Sequence, residues 1–88
     1  MNDVVSTYNG WSNRETWLAS LWLNNDPVSY AVLVEALELD ESDFVRAEWL
    51  EAQLKDEMYD LPIEASLWSD LLGTALSRVD WHEVIKNN

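Results

Sequence analysis

Apolar residues recur along most of the chain at the three- and four-residue spacing of amphipathic helices, not in the alternation of half-buried strands. Trp17, Leu18, Leu21 and Trp22 fall on one broad face at ~100° per residue, which predicts a helix running to about Leu23 and ended by Asn24 and Asn25. Its start has the spacing of a capping box. Ser12 would accept from the N3 amide while Glu15 reaches back, and Trp11 would staple onto Thr16 or Trp17. Tyr8-Asn9-Gly10 is a turn signal, with Gly10 able to take positive φ. Residues 1–9 read as a flexible arm and residues 10–88 as one domain.

Asp26-Pro27 restarts the chain as N-cap and N1. Val28 to Leu39 is apolar nearly all round, broken by Ser29, Glu35 and Glu38, which suits a helix buried on most sides. A strand over Val28 to Val34 is the rival, since that run is rich in β-branched residues. The proline start and the alanine–glutamate–leucine end favour the helix. The longest helix is expected from about Ser42 to Tyr59, with two apolar stripes: Phe44, Ala47, Leu50, Leu54 and Met58 on one side, Val45, Trp49 and Ala52 nearly opposite. Asp60-Leu61-Pro62 stops it. A further helix is expected from Glu64 to about Ser77, with Leu67, Trp68, Leu71, Leu72, Ala75, Leu76 and Val79 facing the core. Asp80 and Glu83 repeat the capping-box spacing ahead of a short last helix through Ile85. The fold class is therefore all-α, a compact bundle of four to five short helices in a single domain.

The 88 residues hold no cysteine, which excludes a disulfide scaffold, a Cys-rich zinc site and a thiol nucleophile. Seventeen acidic residues against five basic ones give a net charge of −12, which opposes direct contact with nucleic acid or anionic lipid. Six tryptophans and many leucines argue against disorder despite that charge. The start, Met1-Asn2-Asp3-Val4-Val5, has neither the basic region nor the apolar stretch of a signal peptide, and no run approaches the ~18–20 apolar residues of a membrane span.

Little in the chain suggests catalysis, and no cofactor is expected. His82 is the single histidine, and its flanks Asp80 and Glu83 read as cap residues. A helical metal site would want a second histidine at i+4, and Asp40-Glu41-Ser42-Asp43 lacks the central glycine of a calcium loop. Trp17, Trp22 and Trp68 are expected in the core, and Trp81 is expected to pack the last helix onto the bundle. Trp49 has two readings: the long helix is sandwiched between others, or Val45-Trp49-Ala52 faces a partner or a second copy of the chain.

The strongest positive signal is acidic. Eight carboxylates lie between Asp40 and Asp60, opposed by Arg46 and Lys55. They are either a solvated face that keeps a small protein soluble, or a display that imitates nucleic acid. Carboxylates on successive helix turns lie ~5–6 Å apart, comparable to phosphates along a strand, and would gain steered association with a groove lined by lysine and arginine. The candidate partner-binding residues are Glu41, Asp43, Glu48, Glu51, Asp56, Glu57 and Asp60, with Trp49 as an apolar anchor.

Asn9-Gly10-Trp11-Ser12-Asn13-Arg14-Glu15-Thr16-Trp17, followed by Leu21-Trp22-Leu23-Asn24-Asn25-Asp26, resembles the opening "NGW-(S/T)-N-x-ETW…LWLxND" of a family of small proteins from phages, plasmids and other mobile elements. Asp70 to Ile85 is similar to that family's closing segment, "DLLxxALxxVnWxEIA", with Asp80 where asparagine is more common, a change an N-cap tolerates. The resemblance implies a mobile-element accessory protein acting in the host cytoplasm, and brings no catalytic residues. Small acidic phage proteins often inhibit host defence, as anti-restriction or anti-CRISPR factors, an analogy of context and charge. On that analogy the partner is a host protein with a basic nucleic-acid-binding surface. The alternative is an adaptor or regulator that binds another protein through an apolar surface.

Overall fold

Five helices make up the computed structural model, which describes residues 8–60 and 67–88: α1 (Arg14–Asn25), α2 (Pro27–Leu37), α3 (Asp43–Tyr59), α4 (Leu67–Arg78) and α5 (Trp81–Lys86). The protein is an all-α bundle, and Val28 to Val34 are helical, as the proline start suggested. The start of the fourth helix at Glu64, the residues Leu61-Pro62 and most of the N-terminal arm lie outside the described residues.

Asp26 makes the α1–α2 joint by itself. Its amide closes α1 onto the Trp22 carbonyl, while its carboxylate caps α2 by accepting from the Ser29 amide and hydroxyl. A single residue with extended φ and ψ therefore turns the chain. Ser42 caps α3 through Val45, and α3 ends at Asp60, whose amide reaches back to the Asp56 and Glu57 carbonyls. Asp80 caps α5 by accepting from the Glu83 amide.

The buried core draws on four helices: Leu23 of α1, Leu33 and Ala36 of α2, Ala47 and Leu50 of α3, and Trp81, Val84 and Ile85 of α5. The shortest helix is the most deeply buried, with half of its six residues in the core and its main packing against α3. Trp81 packs α5 onto the bundle, as its position suggested.

Several expected core faces are turned elsewhere. On α1 the buried positions are Thr16, Ser20 and Leu23, while Trp22 is 63% exposed and Leu18 and Leu21 are exposed too. Thr16 faces inward because its hydroxyl serves Asn13 and the Asp80 amide, and Leu18, Leu21 and Trp22 point outward. On α4 no residue is buried. Trp68 is 66% exposed, and only Leu76 and Val79 near the helix end pack against the core. α2 buries Leu33 and Ala36 alone and leaves Val28 and Tyr30 exposed, so it is not buried on most sides. Phe44 drops out of the inner stripe of α3 because it lies roughly 80° round the helix from Leu54, and it is 64% exposed.

Candidate protein-binding surfaces and the clamp between the chain ends

The Asn-Gly pair forms a tight turn. Asn9 and Gly10 both have positive φ, at 50° and 89°, and Tyr8 and Trp11 exchange two backbone hydrogen bonds across them. This is the geometry that two-residue hairpin turns reserve for Asn-Gly. The turn brings the Tyr8 ring to Trp17, with centroids 4.9 Å apart and the planes tilted by 55°, and Trp11 and Trp17 line one shallow depression on α1.

Beyond the turn the first motif closes on the last. The Ser12 amide and hydroxyl both donate to the Glu83 carboxylate, the hydroxyl at 2.7 Å. Asn13, not Ser12, is the N-cap of α1: its Oδ1 accepts from the Thr16 amide and hydroxyl, and its Nδ2 donates to the Arg78 carbonyl. Thr16, fully buried, accepts the Asp80 amide hydrogen on its hydroxyl oxygen. Glu15 forms an ion pair with Arg78 at 3.1 Å. The capping box expected at Ser12 and Glu15 is thus replaced by a cap one residue later. Both side chains hold the far end of the chain instead, because α5 and the end of α4 lie across the α1 N-terminus. The two motif segments form one polar clamp that fixes α5 in the core.

His82 is exposed, in a shallow polar depression with Gly10, Ser12, Asp80, Glu83, Lys86 and Asn87. The Ser12 hydroxyl gives its hydrogen to a carboxylate there and not to the imidazole. Among the described residues no three His, Asp or Glu side chains converge to hold a metal ion, and no helix is long and apolar enough to cross a membrane.

The candidate acidic residues do not form one file along α3. Glu41 is exposed in the α2–α3 loop, and Asp43 pairs with Arg46 at 3.5 Å in the first turn. Glu48 and Glu51 share the outward flank with Phe44, at i, i+4 and i+7, and Glu51 pairs with Lys55 at 2.9 Å. Asp56 is exposed on a different flank, whereas Glu57 and Asp60 turn toward α1 and α4. Among the described residues Glu41, Glu48, Asp56, Glu57 and Asp60 take part in no ion pair. Trp49, the expected anchor, is half-buried and packs against the core, on a helix that touches both α2 and α5. The aromatic ring that stands free among the carboxylates is Phe44. Its place between Asp43 and Glu48 was the signal for this, outweighed by its match to the inner stripe.

The charge is segregated. From Glu35 to Asp60 ten acidic residues face two basic ones, a net −8 of the total −12. Helices α1 and α4 carry Arg14 and Arg78 against Glu15 and Asp70, a net charge of zero. Between these two helices, α3 and α5 lies a groove of about 500 Å³, walled by Trp22, Leu54, Met58, Leu72, Leu76 and Trp81, with Glu57 and Asp60 at its edge. The Trp81 indole N–H is buried and has no hydrogen-bond partner among the described residues.

No curated protein and no solved structure matches the chain. A family model does, over residues 4–84, a span that takes in both halves of the clamp. The chain belongs to the family it describes, "Family of unknown function (DUF7249)".

Proposed function

We propose that this protein is a non-catalytic binding protein that occupies a basic surface on a partner protein, the surface with which that partner holds nucleic acid. On this reading it is a mobile-element accessory protein that blocks a host defence protein of the CRISPR or restriction type. The observation that carries the reading is charge segregation. Carboxylates that only kept the protein soluble would be spread over its surface, whereas two thirds of the net charge lies within 26 residues, from Glu35 to Asp60. A local concentration of negative charge steers association with a basic groove. Phe44, exposed on the same flank as Glu48 and Glu51, supplies the aromatic contact that interface centres favour. The spread of carboxylates round α3 favours a charged patch over strand-like mimicry.

The test is displacement of fluorescein-labelled DNA from purified CRISPR effectors and restriction enzymes, followed by anisotropy. The protein should displace DNA from one of them, less well as salt rises, because the Debye length shrinks from ~10 Å at 0.1 M. Combining Glu41→Gln, Glu48→Gln and Asp56→Asn should weaken displacement at least tenfold, while Asp70→Asn leaves it unchanged. No displacement from any of the proteins, or equal displacement by the triple variant, overturns the reading. A second reading, an adaptor that docks through apolar surface, is favoured by the groove between α1 and α4. It uses a different face, so Phe44→Ser and Leu72→Ser separate the two.

A further inference from the structure

We infer that the α1–α4 face is a self-association surface that receives a second copy of this chain. Leu18 and Trp22 lie one turn apart on α1, and Trp68 and Leu72 one turn apart on α4, with Leu67 and Leu71 beside them. All six are exposed. The two helices run antiparallel, since Glu15 at the start of α1 pairs with Arg78 at the end of α4, while Trp22 and Leu72 meet at the groove. Trp22 and Leu72 both line the groove, and the other four are exposed apolar neighbours on the same two helices.

Two observations decide the occupant. The first is area. Taking ~250 Å² for a whole tryptophan, the six residues leave roughly 700 Å² open, above the ~300–600 Å² of the largest patch on a typical monomer. Two such faces together reach ~1,400 Å², within the ~1,200–2,000 Å² of a specific interface. The second is charge. A copy carrying −12 is repelled by another copy almost everywhere, but α1 and α4 are together neutral. Isologous contact through this face brings the same neutral patch to itself and leaves both acidic α3 flanks outward. A basic helical partner would instead call for an unbalanced ring of carboxylates, whereas Asp70 and Glu15 on the two helices are matched in number by Arg78 and Arg14, and Glu57 and Asp60 line the groove from the α3 side. The dimer would then present two acidic flanks to one target.

Sedimentation equilibrium of the full chain, from micromolar to millimolar, tests this. The mass should rise to two chains. The dimer should tighten as salt screens the residual repulsion between copies. Leu71→Ser and Trp68→Ser change exposed residues, so the circular dichroism of the helices should persist while dimerisation weakens at least tenfold. Leu67→Ser serves where either variant loses helicity. Phe44→Ser, on the acidic flank, should leave the dimer intact. A single-chain mass at all concentrations overturns the proposal, as does equal weakening by Phe44→Ser and Leu71→Ser. Neither result bears on displacement of DNA by the monomer, so this inference and the proposed function fail separately.

Discussion

The hydroxyl oxygen of Thr16 accepts the amide hydrogen of Asp80 at 2.8 Å, tying α1 to the cap of α5 across 64 residues of chain. The same hydroxyl donates to Asn13 Oδ1 at 2.7 Å, so one fully buried side chain serves the caps of two helices. Thr16→Val keeps the shape but removes the acceptor of the part-buried Asp80 N–H and leaves the hydroxyl's place at Thr16 apolar. Leaving a buried group unpaired costs about 1–3 kcal/mol. Thr16→Ser keeps the hydroxyl and loses a methyl, about 0.8 kcal/mol. Urea unfolding should rank the stabilities wild type, Ser, then Val. Equal loss for the two variants would show that the hydroxyl adds nothing beyond packing.

The clamp also fixes the order of three variants at the start of α1. Asn13→Ala removes the N-cap and the bond to the Arg78 carbonyl, and should cost about 1–2 kcal/mol. Ser12→Ala removes only the hydroxyl bond to Glu83, because the Ser12 amide still donates to that carboxylate, and should cost under ~1 kcal/mol. Glu15→Ala breaks a solvent-facing pair with Arg78, worth ~0–1 kcal/mol. For a domain of this size 1 kcal/mol moves the Tm by ~4–8 °C, so thermal melts resolve the order. A larger loss at Ser12 than at Asn13 would restore the cap to Ser12.

Local rules made the helices legible and tertiary contacts decided which side of each faces inward. Asp26 and Asp80 are caps that depend on residues within one turn, and each stands where its spacing indicated, while Ser42, expected as the start of α3, is its cap. Ser12 and Glu15 have the same spacing, but their side chains were drawn to Glu83 and Arg78, partners 71 and 63 residues away that no local pattern reveals. Periodicity placed Trp22 and Trp68 on apolar faces correctly. Whether an apolar face meets the core depends on how many helices surround it, and α4 leans on the bundle only near its end. The acidic concentration around α3 could be read directly from the chain. Its division into an outward flank with Phe44 and a groove edge with Glu57 and Asp60 required the helix to be oriented by Ala47 and Leu50 in the core.

Acid should act on the α1–α2 joint through Asp26. The Ser29 hydroxyl donates to its carboxylate at 2.8 Å and the Ser29 amide at 3.0 Å, and these two bonds hold its pKa below the ordinary aspartate value. The folded pKa thus lies below that of the unfolded chain, about 3.9. The stabilisation is complete above that value and is lost as pH falls through the lowered folded pKa. Acidification also relieves the repulsion among seventeen carboxylates, which works in the opposite direction. Asp26→Asn differs from the wild type by one charge, so most of that relief cancels in the comparison. Asparagine caps about as well as ionised aspartate, so the two proteins should have similar stability above pH ~4. The wild type should fall behind the variant as pH drops through the lowered folded pKa. Ser29→Ala should move the Asp26 pKa part of the way back up. Carboxyl-carbon NMR titration reads that pKa directly, and a value at or above the ordinary aspartate range in the wild type would remove the cap's acid dependence altogether.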